Sequence, residues 1–125
     1  MTFAAGDPDV AAGAVFSALA DPTRRAVLRE VAVRGPLTAT ELSELVPVTR
    51  QAIAKHLGVL QDAGLVVPSR EGRENRFTAS SAPLADAERW LQAAGRSWDD
   101  RLARLEAQVR ARQATAAPAD PSAGG

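Results

Sequence analysis

Residues 48–66, VTRQAIAKHLGVLQDAGLV, set Arg50, Gln51 and Lys55 along one side of a segment whose apolar residues recur at helical spacing. Those three side chains share a chemistry. An amide such as Gln51 bonds adenine through two hydrogen bonds at once, and Arg50 or Lys55 reaches guanine or a phosphate. Ala54 and Gly58 lie among them and are small enough for the helix backbone to approach a partner closely. Thr49 stands just ahead, where a hydroxyl caps a helix and the unpaired N–H groups of the first turn favour an anion. On a helical wheel Ile53, Leu57 and Leu60 fall within one narrow arc, so that side seats the helix in a core. The other side is slim and polar, a shape that fits the major groove of B-form DNA. An ordinary solvated face has the same polarity, so the flanking elements must decide between the two.

A second cationic group follows. Arg70, Arg73 and Arg76 surround the polar run REGREN, which reads as the tip of a hairpin. Residues 49–78 hold five basic side chains (Arg50, Lys55, Arg70, Arg73, Arg76) against three acidic ones (Asp62, Glu71, Glu74). That local sign suits a polyanion, although the whole chain, with 15 basic and 15 acidic residues, is formally neutral. Arg73 is the expected phosphate or minor-groove contact of the hairpin. His56 is the only histidine and falls between the two sides of the helix. It is expected as a half-buried packing or phosphate-contacting residue, because it has neither a cysteine nor a second histidine with which to hold zinc. With Thr38, the candidate DNA contacts are Thr38, Thr49, Arg50, Gln51, Ala54, Lys55, His56, Arg70, Arg73 and Arg76.

Short elements must position these residues. Val10, Ala14, Val15, Ala18 and Leu19 suggest a first helix, after about eight loose residues in which Gly6 and Pro8 act as breakers. Asp21 and Pro22 supply the cap and first residue of a second helix. Val27, Leu28 and Val31 form its apolar side, and Gly35-Pro36 stops it. Thr38 and Glu41 form a capping box ahead of a third helix that buries Leu42, Leu45 and Val46 and ends at Pro47. Only Pro47, Val48 and Thr49 separate it from the helix at Arg50, which is expected to reach about Ala63 with Gly64 as its C-terminal cap. Two helices on so tight a turn read as helix-turn-helix. Leu65 to Ser69 and Arg76 to Thr78 follow as strands. A last helix opens with Ser81 as cap and Pro83 in its first turn, and is expected to run to about Ala111. The expected organisation is a flexible arm over residues 1–8, one domain over 9–111 and a disordered tail over 112–125.

Composition narrows the function. Aromatic residues are 4% of the chain, so the core must be built from Leu, Val, Ile and Ala, with limited burial per residue. The last helix carries Leu84, Ala87, Leu91, Ala94, Trp98, Leu102, Leu105 and Val109 in steps of three and four, a stripe longer than a small helical core covers. Association with a second copy is therefore expected, through Phe16, Leu19, Trp90, Leu91, Ala94, Trp98, Leu102 and Leu105. The absence of cysteine excludes disulfides, thiol redox sensing and thiolate metal sites. No secretory signal and no apolar run of membrane-spanning length is visible, so the expected location is cytoplasmic. No Ser–His–Asp set, phosphate loop or carboxylate pair in an evident pocket suggests an enzyme, and no cofactor is expected.

The stretches ALADPTRRAVL and QAIAKHLGVLQDAGLV, and the order of elements between residues 14 and 105, resemble the ArsR/SmtB family of bacterial transcriptional repressors. The segment WLQAAGRSWDDRLARLE is similar to a subgroup of that family without metal-ligand residues. The resemblance implies a mainly α (α+β) winged helix-turn-helix fold: two helices, a short strand, two more helices, two strands and a last helix. It also implies a homodimer joined through the first and last helices. Such a dimer binds double-stranded DNA at an inverted-repeat operator near its own promoter and is released by a metal or another signal. Family members that sense metal use cysteines, or histidines and acids on the last helix. Here that helix has Asp86, Glu88, Asp99 and Asp100 but no histidine, which leaves the inducer open. The alternative reading is a winged domain that binds protein rather than DNA.

Overall fold

The computed structural model describes residues 7–116. The first helix, α1 (Pro8–Leu19), starts where Asp7 accepts a hydrogen bond from the Asp9 N–H at 2.8 Å and Pro8 fills the first helical position. The second, α2 (Pro22–Arg34), repeats the device: the Asp21 carboxylate accepts from the N–H groups of Thr23 and Arg24 at 2.7 and 3.2 Å. The next two side chains turn back onto α1. Arg24 donates to the carbonyls of Ala18 and Ser17, and Arg25 donates to that of Leu19 at 2.6 Å. One short run, DPTRR, thus opens α2 and satisfies the open carbonyls at the end of α1.

The chain continues as β1 (Leu37–Thr38), α3 (Ala39–Leu45), α4 (Arg50–Asp62), β2 (Val66–Glu71), β3 (Glu74–Ala79) and α5 (Ala82–Ala116). The three strands form an antiparallel sheet in the order β1-β3-β2. Leu37 and Thr38 pair with Phe77 and Arg76, while β2 and β3 pair from Val66↔Ala79 out to Glu71↔Glu74. That leaves a two-residue tip, Gly72-Arg73. Gly72 takes φ +62 and Arg73 does not take a positive φ, the pattern of a type II′ turn, which matches the twist of a hairpin.

The core is assembled around α4. Ile53, Leu57 and Leu60 are 2% exposed or less and pack in one cluster with Val27 and Val31 of α2, Leu42 of α3, Leu65 and Val66 at β2, and Phe77 of β3. The end of α4 is closed by a paired cap. The Gly64 N–H donates to the Gln61 carbonyl and the Leu65 N–H to the Leu60 carbonyl, both at 2.9 Å, with Gly64 at φ +76. This is the Schellman arrangement, and its accompanying apolar contact is between the fully buried Leu60 and Leu65.

The compact units divide within α5, one through Trp90 and the other from Leu91 onward. In the second unit Leu91, Trp98, Leu102, Leu105 and Val109 are each 48% to 62% exposed. Three boundaries differ from expectation. Asp7 and Pro8 begin α1 rather than ending an arm, because a proline in a first turn starts a helix as readily as it breaks one. The last helix passes Ala111 and ends at Ala116, through residues that are mostly good helix formers. Both wing strands reach further toward the tip, closing the turn to two residues. The remainder of the expected arm and tail, residues 1–6 and 117–125, lies outside the described residues. Leu45, expected to be buried, is 38% exposed.

Leu60→Ala is expected to destabilise the fold by about 2–5 kcal/mol, because it empties a fully buried site. Val33→Ala, at a position 78% exposed on α2, should change stability by less than about 0.5 kcal/mol. Urea unfolding followed by far-ultraviolet circular dichroism separates the two. Equal midpoints would contradict the packing described.

Candidate nucleic-acid interface

Because one arc of α4 is committed to the core, the rest of the helix is presented outward. Thr49 caps it by accepting from the Ala52 N–H at 3.1 Å. Arg50, Gln51, Ala54 and Lys55 are exposed. Among the described residues Arg50, Gln51 and Lys55 have no side-chain hydrogen bond or ion pair. Neither cation, Arg50 or Lys55, forms an ion pair with a carboxylate among the described residues.

The wing adds a wall. A cleft of about 300 Å³ lies between α4 and the hairpin, lined on one side by Arg50, Ala54, Leu57, Gly58 and Gln61, on the other by Arg73, the acidic Glu74, Asn75 and Phe77, and also by Thr38 to Thr40. Gly58 is open to it, and a Cβ there would meet nothing within 4 Å. Arg73 stands at the tip with no partner among the described residues, so Arg50 and Arg73 line one cleft with both charges available. Arg50, Ala54 and Gly58 are expected on the slim polar side of α4, and the structure extends that row to Gln61. Gln61 and Asn75 were not singled out at all. The three-and-four spacing from Arg50 could have found Gln61. Asn75 has no signal in sequence beyond its place next to the turn.

Several expected contacts are placed differently. Thr38 is 4% exposed, and its hydroxyl accepts the Glu41 N–H at 3.1 Å while Glu41 accepts the Thr38 N–H at 2.9 Å. Its side chain therefore holds the start of α3. Arg76 is also engaged: Nη1 lies 3.1 Å from Glu41 Oε1, and Nε pairs with Glu71 Oε2. Arg70 donates from Nε to the Gly72 carbonyl at 3.2 Å and so braces the turn. His56 is half-buried, with its Nδ1 enclosed and no hydrogen-bond partner, and it does not line the cleft.

The residues proposed for association also divide. Leu19 is half-buried against its own core. Phe16 and Trp90 meet edge to face, with centroids 5.7 Å apart and planes at 68°, and the Trp90 indole N–H donates to Asp9. These two rings tie the start of α5 to α1 within one subunit, although Phe16 remains 37% exposed. Ala94 is half-buried. Leu91, Trp98, Leu102 and Leu105 are the exposed members.

A tight helix-turn-helix, a charged two-stranded wing beside its second helix and unpaired cations on both define a winged helix-turn-helix DNA-binding protein. The sequence matches the helix-turn-helix domain family over residues 19–68. A solved ArsR-like transcriptional regulator from Rhodococcus sp. RHA1 is 43% identical, superposes with a TM-score of 0.72, and matches over 78% of this chain and 92% of that one. The chain belongs to the ArsR/SmtB family of winged helix-turn-helix transcriptional repressors. It is similar to the HTH-type transcriptional regulator YuzN of Bacillus subtilis (strain 168), 47% identical over 77 residues that make up 57% of this chain and 84% of YuzN. It is also similar to the transcriptional repressor SdpR of the same organism, 30% identical over 77 residues, 62% of this chain and 84% of SdpR. The protein is a DNA-binding transcriptional regulator and not an enzyme. No helix among the described residues is long and apolar enough to cross a membrane.

Two carboxylates at helix starts carry a pH dependence. Burial raises the Asp21 pKa, but the Arg24 and Thr23 N–H groups and the Arg24 charge outweigh it, so the group titrates below the usual carboxylate range. The Thr38 N–H, against opposing desolvation, and then the Arg76 charge hold Glu41 low as well. Carboxylates lowered in the folded state stabilise it above their ordinary pKa, and that contribution is lost as pH falls through the lowered values. Asp21→Asn with Glu41→Gln keeps an acceptor at both caps but removes the titration. The stability gap between wild type and this double variant is expected to narrow as pH drops from about 5 to about 2. Urea unfolding at a series of pH values measures it, and a pH-independent gap would refute the assignment.

Proposed function

We propose that this protein is a homodimeric repressor that binds an inverted-repeat operator near its own promoter in the cytoplasm. The observation that carries the reading is the pair Arg50 and Arg73, unpaired and lining one cleft beside the slim outer face of α4. In this arrangement Gln51 and Lys55 reach base edges, Ala54 and Gly58 allow close approach, and Arg50, Arg73 and the first-turn N–H groups engage phosphates. The repressor SdpR, at 30% identity, supports the direction of regulation.

The second copy is argued from α5. Leu91, Gly95, Trp98, Leu102, Leu105 and Val109 follow one another in alternating steps of four and three, a heptad seam that reads the same in both directions. Two antiparallel copies centred near Asp100 would place Trp98 against Leu102, Gly95 against Leu105, and Leu91 against Val109. The small Gly95 then faces a large leucine. A two-fold axis through that point would be mirrored by two operator half-sites.

A mobility shift on DNA upstream of the protein's own gene is expected to show specific binding, with an inverted repeat in the footprint. With about 6–10 phosphates neutralised by the dimer, affinity should fall by about 10³–10⁵ between about 50 and 200 mM salt. Gln51→Ala and Lys55→Ala should lose specific binding with unchanged circular dichroism. Normal operator binding by both variants would remove the contact assignment.

Leu102→Glu with Leu105→Glu should yield monomers in sedimentation equilibrium and abolish the footprint. A wild-type protein that sediments as a monomer at working concentration would overturn the dimer.

A further inference from the structure

Arg76 occupies the last point at which the wing is attached to the body. β1 contributes two residues, and Thr38↔Arg76 is its outermost pair. From Ser69 to the tip and back to Asn75 the hairpin pairs only with itself. A two-stranded ribbon has little stability or stiffness of its own. Arg73, the unpaired cation of the wing, stands at the end of this ribbon.

The Arg76 guanidinium reaches in two directions from that point. Nη1 lies 3.1 Å from Glu41 Oε1 in the first turn of α3, and Nε pairs with Glu71 Oε2 at the end of β2. The same Glu41 oxygen accepts the Thr38 N–H at 2.9 Å, so the helix cap, β1 and the outer wing share one cluster. A single exposed ion pair contributes little, but a planar fork joined to two carboxylates, one of them already fixed by a capping box, is held in a defined geometry. With two carboxylates on one guanidinium the cluster carries a net negative charge, which does not attract phosphate.

We infer that Arg76 is a positioning residue, which fixes where Arg73 stands across the cleft from Arg50 and does not itself contact DNA. The inference rests on the DNA-binding reading given above. It makes a prediction of opposite sign to direct contact. If Arg76 bound phosphate, removing a competing carboxylate would free it, and Glu41→Gln or Glu71→Gln would tighten DNA binding. As a positioning residue, it loses its anchor in those variants and binding weakens.

The test uses the full chain and the DNA fragment that wild type shifts. Gln also serves in a capping box, so Glu41→Gln keeps the start of α3. Glu41→Gln and Glu71→Gln are each expected to weaken binding about three- to ten-fold, the scale of a small ion-pair network. The salt dependence should keep the wild-type slope, because no phosphate contact is lost. Arg73→Ala should instead lower that slope by about 0.9. Arg76→Lys keeps the charge without the fork and should behave like Glu41→Gln. Amide hydrogen exchange of the free proteins gives a readout independent of DNA: protection of residues 70–75 should fall in Glu41→Gln and Arg76→Lys, with the α4 core unchanged. Tighter or unchanged binding by the two Gln variants, wild-type binding by Arg76→Lys, or unaltered wing exchange would overturn the inference. A wild-type chain that bound no DNA would remove the functional reading, and the exchange measurement would still decide whether Arg76 anchors the wing.

Discussion

The apolar arc of α4, Ile53, Leu57 and Leu60, is the contact on which the other elements converge. Fully burying each such side chain contributes about 1.5–3 kcal/mol. Three of them together rival the whole net stability of a domain, about 5–15 kcal/mol. The arc fixes the rotation of α4 about its own axis, because a turn of one residue in either direction would bring a polar side chain into the core. With the rotation set, the outward presentation of Arg50, Gln51 and Lys55 requires no separate interaction. The core seat and the slim polar face proposed to meet DNA are two consequences of one helical period.

A core with so few aromatic rings leaves orientation to polar contacts at the helix ends. Asp21, Thr38 with Glu41, and Thr49 each satisfy N–H groups that a helix start leaves open. Arg24 and Arg25 do the same for the carbonyls that close α1. These bonds are short in sequence, two to seven residues apart, so each is made as its own turn forms. Two long-range contacts supplement them. Trp90 joins α5 to α1 across 81 residues, and Arg76 joins the wing to α3 across 35. Local caps thus set the helices, while two sparse ties set the start of α5 and the wing.

That division explains what was legible in sequence. The ends of α2, α3 and α4 follow from Asp21-Pro22, Gly35, the Thr38–Glu41 box, Thr49 and Gly64, each a local rule acting within its own turn. Ile53, Leu57 and Leu60 follow from periodicity alone. The start of α1 was misread because Pro8 was weighed as a breaker without the cap before it. Thr38 was legible as a helix cap, and the structure shows that this role occupies its hydroxyl. The role of Arg76 was not readable: it has the chemistry of a DNA contact, and only the arrival of Glu41 from α3 and Glu71 from β2 shows that its guanidinium is occupied. Asn75 and Gln61 are the converse: unremarkable in sequence, they line the cleft because the wing folds back along α4. Patterns within one element were legible, and encounters between elements were not.

The same encounters shape the electrostatics of a chain with no net charge. Of the five basic residues between 49 and 78, Arg76 is bound to two carboxylates and Arg70 is turned onto the Gly72 carbonyl. Arg50, Lys55 and Arg73 remain without partners among the described residues. A strongly basic domain holds DNA of any sequence through phosphate attraction alone, which dilutes discrimination. If Arg50, Lys55 and Arg73 are the contacts, a neutral chain that gathers these three unpaired cations on one helix and one hairpin tip attracts the duplex only where they can all be used. Its binding then depends on their relative placement more than on their number. The wing tip is the part of that placement least fixed by the core, since it extends beyond the third strand. A regulator built this way gains selectivity by occupying Arg70 and Arg76 within the wing, and the geometry of the few cations left unpaired on α4 and the wing tip becomes the quantity that matters.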